Sequence, residues 1–123
     1  MKGTNLTEFA LEDLVRRFTE IALEQDQAIL LDDNAKFDRL YQQMKSVEEE
    51  LKTRAGDQRH ALLPLYEHPN FQVRLKAAVA TLAVAPDQAR SQLQALSDSR
   101  EYPQAGDAGM TLRAIDRGIF KPV

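Results

Sequence analysis

Apolar residues return every third or fourth position along almost all of this 123-residue chain, and nowhere do they alternate with polar ones for the length of a strand. Leu11, Leu14, Val15, Phe18, Ile21, Ala22, Ala28 and Ile29 make one stripe, and Phe37, Leu40, Tyr41, Met44, Val47 and Leu51 make a second. Side chains three and four apart share one face of an α-helix, so each stripe is an apolar face that must find another helix. An all-α fold follows.

Punctuation residues set the expected boundaries. Asn5 and Glu8 have the spacing of a capping box, which predicts a first helix over 7–31. Asp32-Asp33-Asn34 reads as a turn and N-cap for a second helix over 34–55, with Gly56 as its left-handed stop. The pairs Glu12 with Arg16, Asp13 with Arg17, Glu48 with Lys52 and Glu50 with Arg54 set acid before base one turn apart on these helices. Asp57 caps a shorter helix over 58–67, kinked at Pro64, which cannot donate to the carbonyl of His60. Asn70 caps a fourth helix over 70–84, whose small Ala77 and Ala80 invite close approach by a neighbour. Pro86 suits the first turn of a helix over 87–97, residues 97–106 read as a polar loop, and a last helix spans 107–117 between Gly106-Asp107 and Gly118. Taken in order these are three helix pairs without a dividing linker. The expectation is one domain over 1–123, built as a right-handed α-α superhelix, with a closed helical bundle as the alternative.

A weak internal echo accompanies the pairing. Leu62 and Leu65 match Leu93 and Leu96 at an offset of 31, while Val73, Arg74 and Ala77 match Met110, Thr111 and Ala114 at 37. Repeating helix pairs are the mark of a solenoid. Leu62-Leu63-Pro64-Leu65, His68-Pro69-Asn70, Val73-Arg74 and Ala77-Ala78 together resemble one HEAT repeat across residues 61–84. The resemblance implies a HEAT- or armadillo-like scaffold. It departs at His68, which stands where such repeats carry an aspartate for a neighbouring arginine, so Arg74 is expected to turn to solvent. The whole chain, including Ala105 to Arg113, also resembles a small bacterial family of unknown function, which implies no activity and assigns no residues.

Charge and composition exclude several classes. Sixteen basic and 19 acidic residues give −3, whereas dedicated binders of nucleic acid or anionic membrane carry a basic excess. The imbalance is local: residues 1–56 hold 8 basic and 12 acidic side chains, and residues 57–123 hold 8 and 7. Any electrostatically steered partner is therefore expected to be a basic protein meeting the N-terminal half. Zero cysteines remove thiolate metal sites and cysteine nucleophiles. Met1 to Asn5 is not followed by an apolar run of leader type, and the apolar stretch Ala77 to Ala85 is far short of the ~20 residues of a membrane span. A cytoplasmic protein without a membrane segment is expected.

No constellation of reactive groups stands out. Asp57 and His60 have the i, i+3 spacing of one half of a carboxylate-bridged metal site, but the second half is missing, so neither metal nor cofactor is expected. Gly106-Asp107-Ala108-Gly109 has the outline of a phosphate-clamping loop, opposed by the carboxylate of Asp107. Glu20 and Glu24, one turn apart, have the form of an acid and base pair without a nucleophile. They are read instead as partner-binding surface, together with Phe120 in the apolar tail after Gly118. The expected function is that of a non-enzymatic protein-interaction module. A HEAT-like protein acting on nucleic acid, or a small hydrolase using helix-borne carboxylates, is the alternative.

Overall fold

The computed structural model describes residues 5–123. Met1 to Thr4, on which the leader reading rests, lie outside the described residues. The described residues form helices and turns with no strand: a 3₁₀ turn Leu6–Glu8, α1 (Leu11–Leu30), α2 (Asn34–Thr53), a 3₁₀ segment Gln58–Glu67, α3 (Phe71–Ala80), α4 (Pro86–Asp98) and α5 (Gln104–Asp116). The chain divides into two units, Met1–Ala61 and Leu62–Val123.

The first unit is a hairpin of two 20-residue helices. Leu14, Phe18, Ile21 and Ala22 from α1 and Leu40, Met44, Val47 and Leu51 from α2 are buried. These are the inward positions of the two stripes. Fully burying large side chains of this kind stabilises by about 1.5–3 kcal/mol each. The expected helix over 7–31 is broken, because Phe9 and Ala10 are extended. The Asn5 side chain accepts from Thr7 N–H at 3.3 Å, and its amide donates to Glu8 at 3.1 Å. The box therefore caps its own short turn. Arg54 Nη2 then donates to the carbonyls of Leu6 (3.0 Å) and Phe9 (2.7 Å), which a continuous helix would have used internally.

At the hairpin turn Asp33 N–H bonds Ala28 O (2.8 Å) and Asp32 N–H bonds Ile29 O (3.1 Å), with Asp32 at φ 57°. That is a Schellman ending with aspartate in the usual glycine position. Asp33 also caps α2 as its sequence predicts, accepting from Lys36 N–H. The stop at Gly56 comes later than the helix end: Gly56 does take φ 79°, but α2 closes at Thr53 and Arg54 is already extended.

The second unit is built from shorter helices around Leu75, Ala78, Leu82, Ala89, Leu93, Leu96 and Ala108, flanked by Tyr66, Phe71, Val79, Leu112 and Ile115. The segment over 58–67 is 3₁₀ rather than a kinked α-helix, with Pro64, which has no N–H for an α-helical bond, inside it. Asn70 caps α3 through Gln72 and Val73 N–H. This helix stops at Ala80, short of the expected 84. Thr81 takes over the last carbonyls, its hydroxyl bonding Ala77 O and Ala78 O at 2.8 and 3.2 Å. Pro86 opens α4 as expected.

The largest revision is at α5. It starts at Gln104, so the expected 97–106 loop contracts to 99–103, and Gly106 and Gly109 lie inside the helix. A Cβ on Gly109 would sit 3.2 Å from Ser97 Oγ, which shows how closely α4 and α5 approach. α5 ends in a second Schellman motif, Gly118 at φ 71° with Ile119 N–H on Ala114 O. Buried polar groups in this unit are matched: Gln104 Nε2 donates to Gln72 Oε1 at 2.9 Å, and Tyr66 Oη lies 2.6 Å from Thr81 Oγ1. Burial raises the Tyr66 pKa. The Val73 to Met110 correspondence of the internal echo fails, since Val73 is fully buried and Met110 is 56% exposed.

Candidate functional site

Glu20 lies on the outer face of α1 and lines an open pocket of about 320 Å³ with Glu8, Phe9, Asp13, Arg16 and Arg17. Two local features build this pocket. The break at Phe9 and Ala10 turns Glu8 and Phe9 back towards the first turns of α1, and Arg54 holds that turn by its two carbonyl bonds. Glu50 in turn orients Arg54, accepting from its Nε at 2.8 Å. The Glu50 to Arg54 pair is thus present as its spacing predicts, while the tie to residues 6–9, 45 or more positions away, has no local signal.

The charges lining the pocket are partly spent. Arg16 bonds Asp13 at 2.7 Å, an i, i+3 pair in place of the expected Glu12 to Arg16 and Asp13 to Arg17 pairs. Arg17 instead reaches across to Gln43 Oε1 at 3.1 Å, linking α1 to α2. Glu20 has no ion-pair partner among the described residues. Glu24 is exposed one turn further along the same face, beyond the pocket lining, with the exposed Leu23 beside it. The lining brings together three carboxylates, Glu8, Asp13 and Glu20, two guanidinium groups, Arg16 and Arg17, and the Phe9 ring, so the site offers mixed charge beside one aromatic group.

The other candidates fall to structural roles. The Asp57 carboxylate, with Asp57 at φ 53°, grips Arg59 through Nε (2.9 Å) and Nη2 (2.7 Å). The Arg59 side chain holds its pKa below the usual carboxylate value. His60 turns its ring towards the Asp57 backbone carbonyl instead, 3.3 Å away. Among the described residues no group of three or more His, Cys, Asp or Glu is placed to hold a metal ion. The Gly106 to Gly109 segment, being helical, presents no loop amides to a phosphate. Arg74, expected in solvent, donates from Nε to the His68 carbonyl and lies 5.1 Å from the Phe71 ring centre. His68 Nδ1 accepts from Asn70 N–H at 3.0 Å, filling by itself a turn position where an aspartate would be usual.

Phe120 is folded back by its backbone, its N–H on Ala114 O at 3.1 Å, and keeps 36% of its surface exposed. The neighbouring Ile119 side chain stays 75% exposed. Phe120 therefore belongs to the surface of the second unit, and Glu20 and Glu24 to that of the first. No helix of the described residues is long and apolar enough to cross a membrane.

The chain is similar to a solved structure, the crystal structure of the protein RPA1889 from Rhodopseudomonas palustris CGA009. The two are 50% identical, the match covers 98% of this chain and 100% of that one, and the TM-score is 0.95. No functionally curated protein matches. Residues 12–116 match the family described as Domain of unknown function (DUF2019), and the chain belongs to that family.

Proposed function

We propose that this chain is a non-catalytic protein-interaction module on a HEAT- or armadillo-like helical scaffold, and that its partner is a basic protein engaging the acidic outer surface of α1 and α2. The observation that carries this reading is the concentration of charge, 12 acids against 8 bases in residues 1–56, with Glu20 and Glu24 exposed on one face beside an open pocket. The pocket is open and its lining is mixed in charge, with Asp13 already paired to Arg16, which favours binding at a solvated surface over catalysis. Cytoplasmic localisation belongs to the same reading. For the scaffold, the support is an α3 capped by Asn70 after the Leu62 to Leu65 segment, followed by the α4–α5 pair.

Long-range steering by such a surface weakens as the Debye length falls from about 10 Å at 0.1 M salt to about 3 Å at 1 M. The test is capture from host extract on the immobilised chain at both salt concentrations, beside the double variant Glu20→Lys with Glu24→Lys. A basic protein held by the wild type at low salt, and lost both at high salt and on the variant, is the expected result. Retention indifferent to salt and to the reversal overturns the reading.

A further inference from the structure

Two contacts fix the register of the antiparallel α4–α5 pair. Arg90 of α4 bonds Asp116 of α5 at 2.9 Å, and a Cβ on Gly109 of α5 would sit 3.2 Å from Ser97 Oγ of α4. The steps from 90 to 97 and from 109 to 116 are equal and span two helical turns, so one seam runs between the helices from Arg90 and Asp116 to Ser97 and Gly109. Arg113 stands on this seam, one turn from each end. A helical side chain leans towards the N-terminus, over the residue four positions earlier. For Arg113 that residue is Gly109, and Nη1 lies 3.4 Å from the place of the missing Cβ. Ser97 Oγ and Arg113 Nη1 therefore converge on one point from facing helices.

Both donors are unspent. Arg113 has Asp116 within reach three residues on, but Arg90 already holds that carboxylate. Among the described residues Arg113 has no ion-pair or hydrogen-bond partner, and neither has the Ser97 hydroxyl, whereas Ser99 and Thr111 nearby bond the carbonyls of Leu96 and Asp107. Asp98, beside Ser97 in the chain, accepts from the Gln94 amide at 3.1 Å. Arg117, one turn beyond Arg113, is exposed. This stretch thus carries three guanidinium groups, Arg90, Arg113 and Arg117, against the one carboxylate of Asp116, in a half of the chain whose charges otherwise nearly balance.

An uncompensated guanidinium fork and a free hydroxyl meeting over a glycine suit an oxyanion. The fork donates two parallel N–H bonds, and the hydroxyl supplies a third from the facing helix. A carboxylate meets the fork with both its oxygens, whereas a phosphoryl group keeps a third oxygen for the hydroxyl and carries about two negative charges at pH 7. We propose that the α4–α5 seam at Ser97, Gly109 and Arg113 is a binding site for a phosphate monoester, its phosphoryl oxygens taken by the Arg113 fork and the Ser97 hydroxyl and its ester oxygen directed to solvent. Arg90 and Arg117 supply the surrounding positive field. The site lies in the second unit and does not depend on the acidic surface of the first.

Titration of the isotope-labelled full chain with methyl phosphate, near neutral pH and at constant ionic strength, tests the proposal by amide chemical shifts. Saturable shifts at Ser97, Gly109 and Arg113 are expected, with acetate weaker by about tenfold or more. Arg113→Gln should weaken binding roughly tenfold or more, Arg113→Lys by several-fold because the charge stays while the fork is lost, and Ser97→Ala by about three- to tenfold. Gly109→Ala, whose methyl would press on two side-chain ends rather than on backbone, should displace both donors and weaken binding as well. Circular dichroism verifies that each variant is folded, and the exposed Arg113 gives the variants that least disturb packing. No saturation up to roughly 50 mM, saturation mapped elsewhere on the chain, acetate as tight as methyl phosphate, or binding indifferent to both Arg113→Gln and Ser97→Ala overturns the proposal. Inorganic phosphate bound where methyl phosphate is refused overturns the monoester as its ligand.

Discussion

The two units bury their apolar surface in different ways. The first uses two long helices and large side chains, Phe18, Leu14, Ile21, Met44 and Leu51, each exposed by 1% or less. The second uses helices of 10 to 13 residues, relies on Ala77, Ala78, Ala89, Ala105, Ala108 and Gly109 at its contacts, and closes with the buried Gln72 to Gln104 bond. Long helices can be defined by stripe alone, because each turn adds buried area. Short helices gain little from any one turn, so close backbone approach and matched polar groups have to specify how they meet.

The sharpest way to break this contrast is to exchange the defects. Phe18→Ala in the hairpin should cost about 3–5 kcal/mol, a transfer loss plus a cavity, whereas Ala78→Leu in the second unit should cost about 1–3 kcal/mol through overpacking. Urea midpoints in the opposite order would show that the small-residue contacts, not the large side chains, dominate stability. Next comes the amide pair. Gln72→Leu alone should cost about 1–3 kcal/mol because Gln104 loses a buried acceptor, while Gln72→Leu with Gln104→Leu should recover most of it. A double variant no better than the single would mean that the pair is not the unit of specification.

Smaller effects distinguish the two Schellman endings. Gly118→Ala forces a Cβ into the left-handed region and should destabilise by about 1 kcal/mol, whereas Asp32→Gly relieves the same strain and should shift stability by less than about 1 kcal/mol, towards the folded state. Thermal melts of the two variants moving in the same direction would contradict this. The smallest effect is a pH dependence at the end of the first unit. The Asp57 carboxyl has its folded pKa below its ordinary value of 3.8, chiefly through the Arg59 hydrogen bond. Its contribution is therefore complete above about pH 3.8 and is lost as pH falls through the lower folded value. Asp57→Asn, which tolerates the positive φ, should flatten the stability profile on that acid limb only.

The same contrast explains what the sequence made legible. The hairpin was readable because its stripes are long, and Asp33, Asn70 and Pro86 were readable because capping is local chemistry. What escaped was decided at a distance. The break after Glu8 depends on a guanidinium supplied by Arg54, and α5 begins early because Pro103, Gln104 and Ala105 form a first turn that polar composition disguises as loop. The glycines at 106 and 109 marked close helix contact rather than the flexibility their residue type suggests. At the candidate site, Glu20 and Glu24 were visible as an exposed acidic turn, but the pocket beside Glu20 was not, because Glu8 and Phe9 reach it through that same distant bond. Phe120 was visible only as an apolar residue after a stop signal. Its place at the end of α5 emerges from the backbone bonds to Ala114.

Arg54 carries one more consequence, for the way the first unit opens. One guanidinium nitrogen serves both the Leu6 and Phe9 carbonyls from the residue that closes α2. Fraying of the last turn of α2 must then release the 3₁₀ turn in the same event, since both bonds leave with Arg54. Amide exchange at the start of the described chain and at the end of the second helix would share one opening equilibrium, so two segments distant in sequence would behave as a single cooperative element.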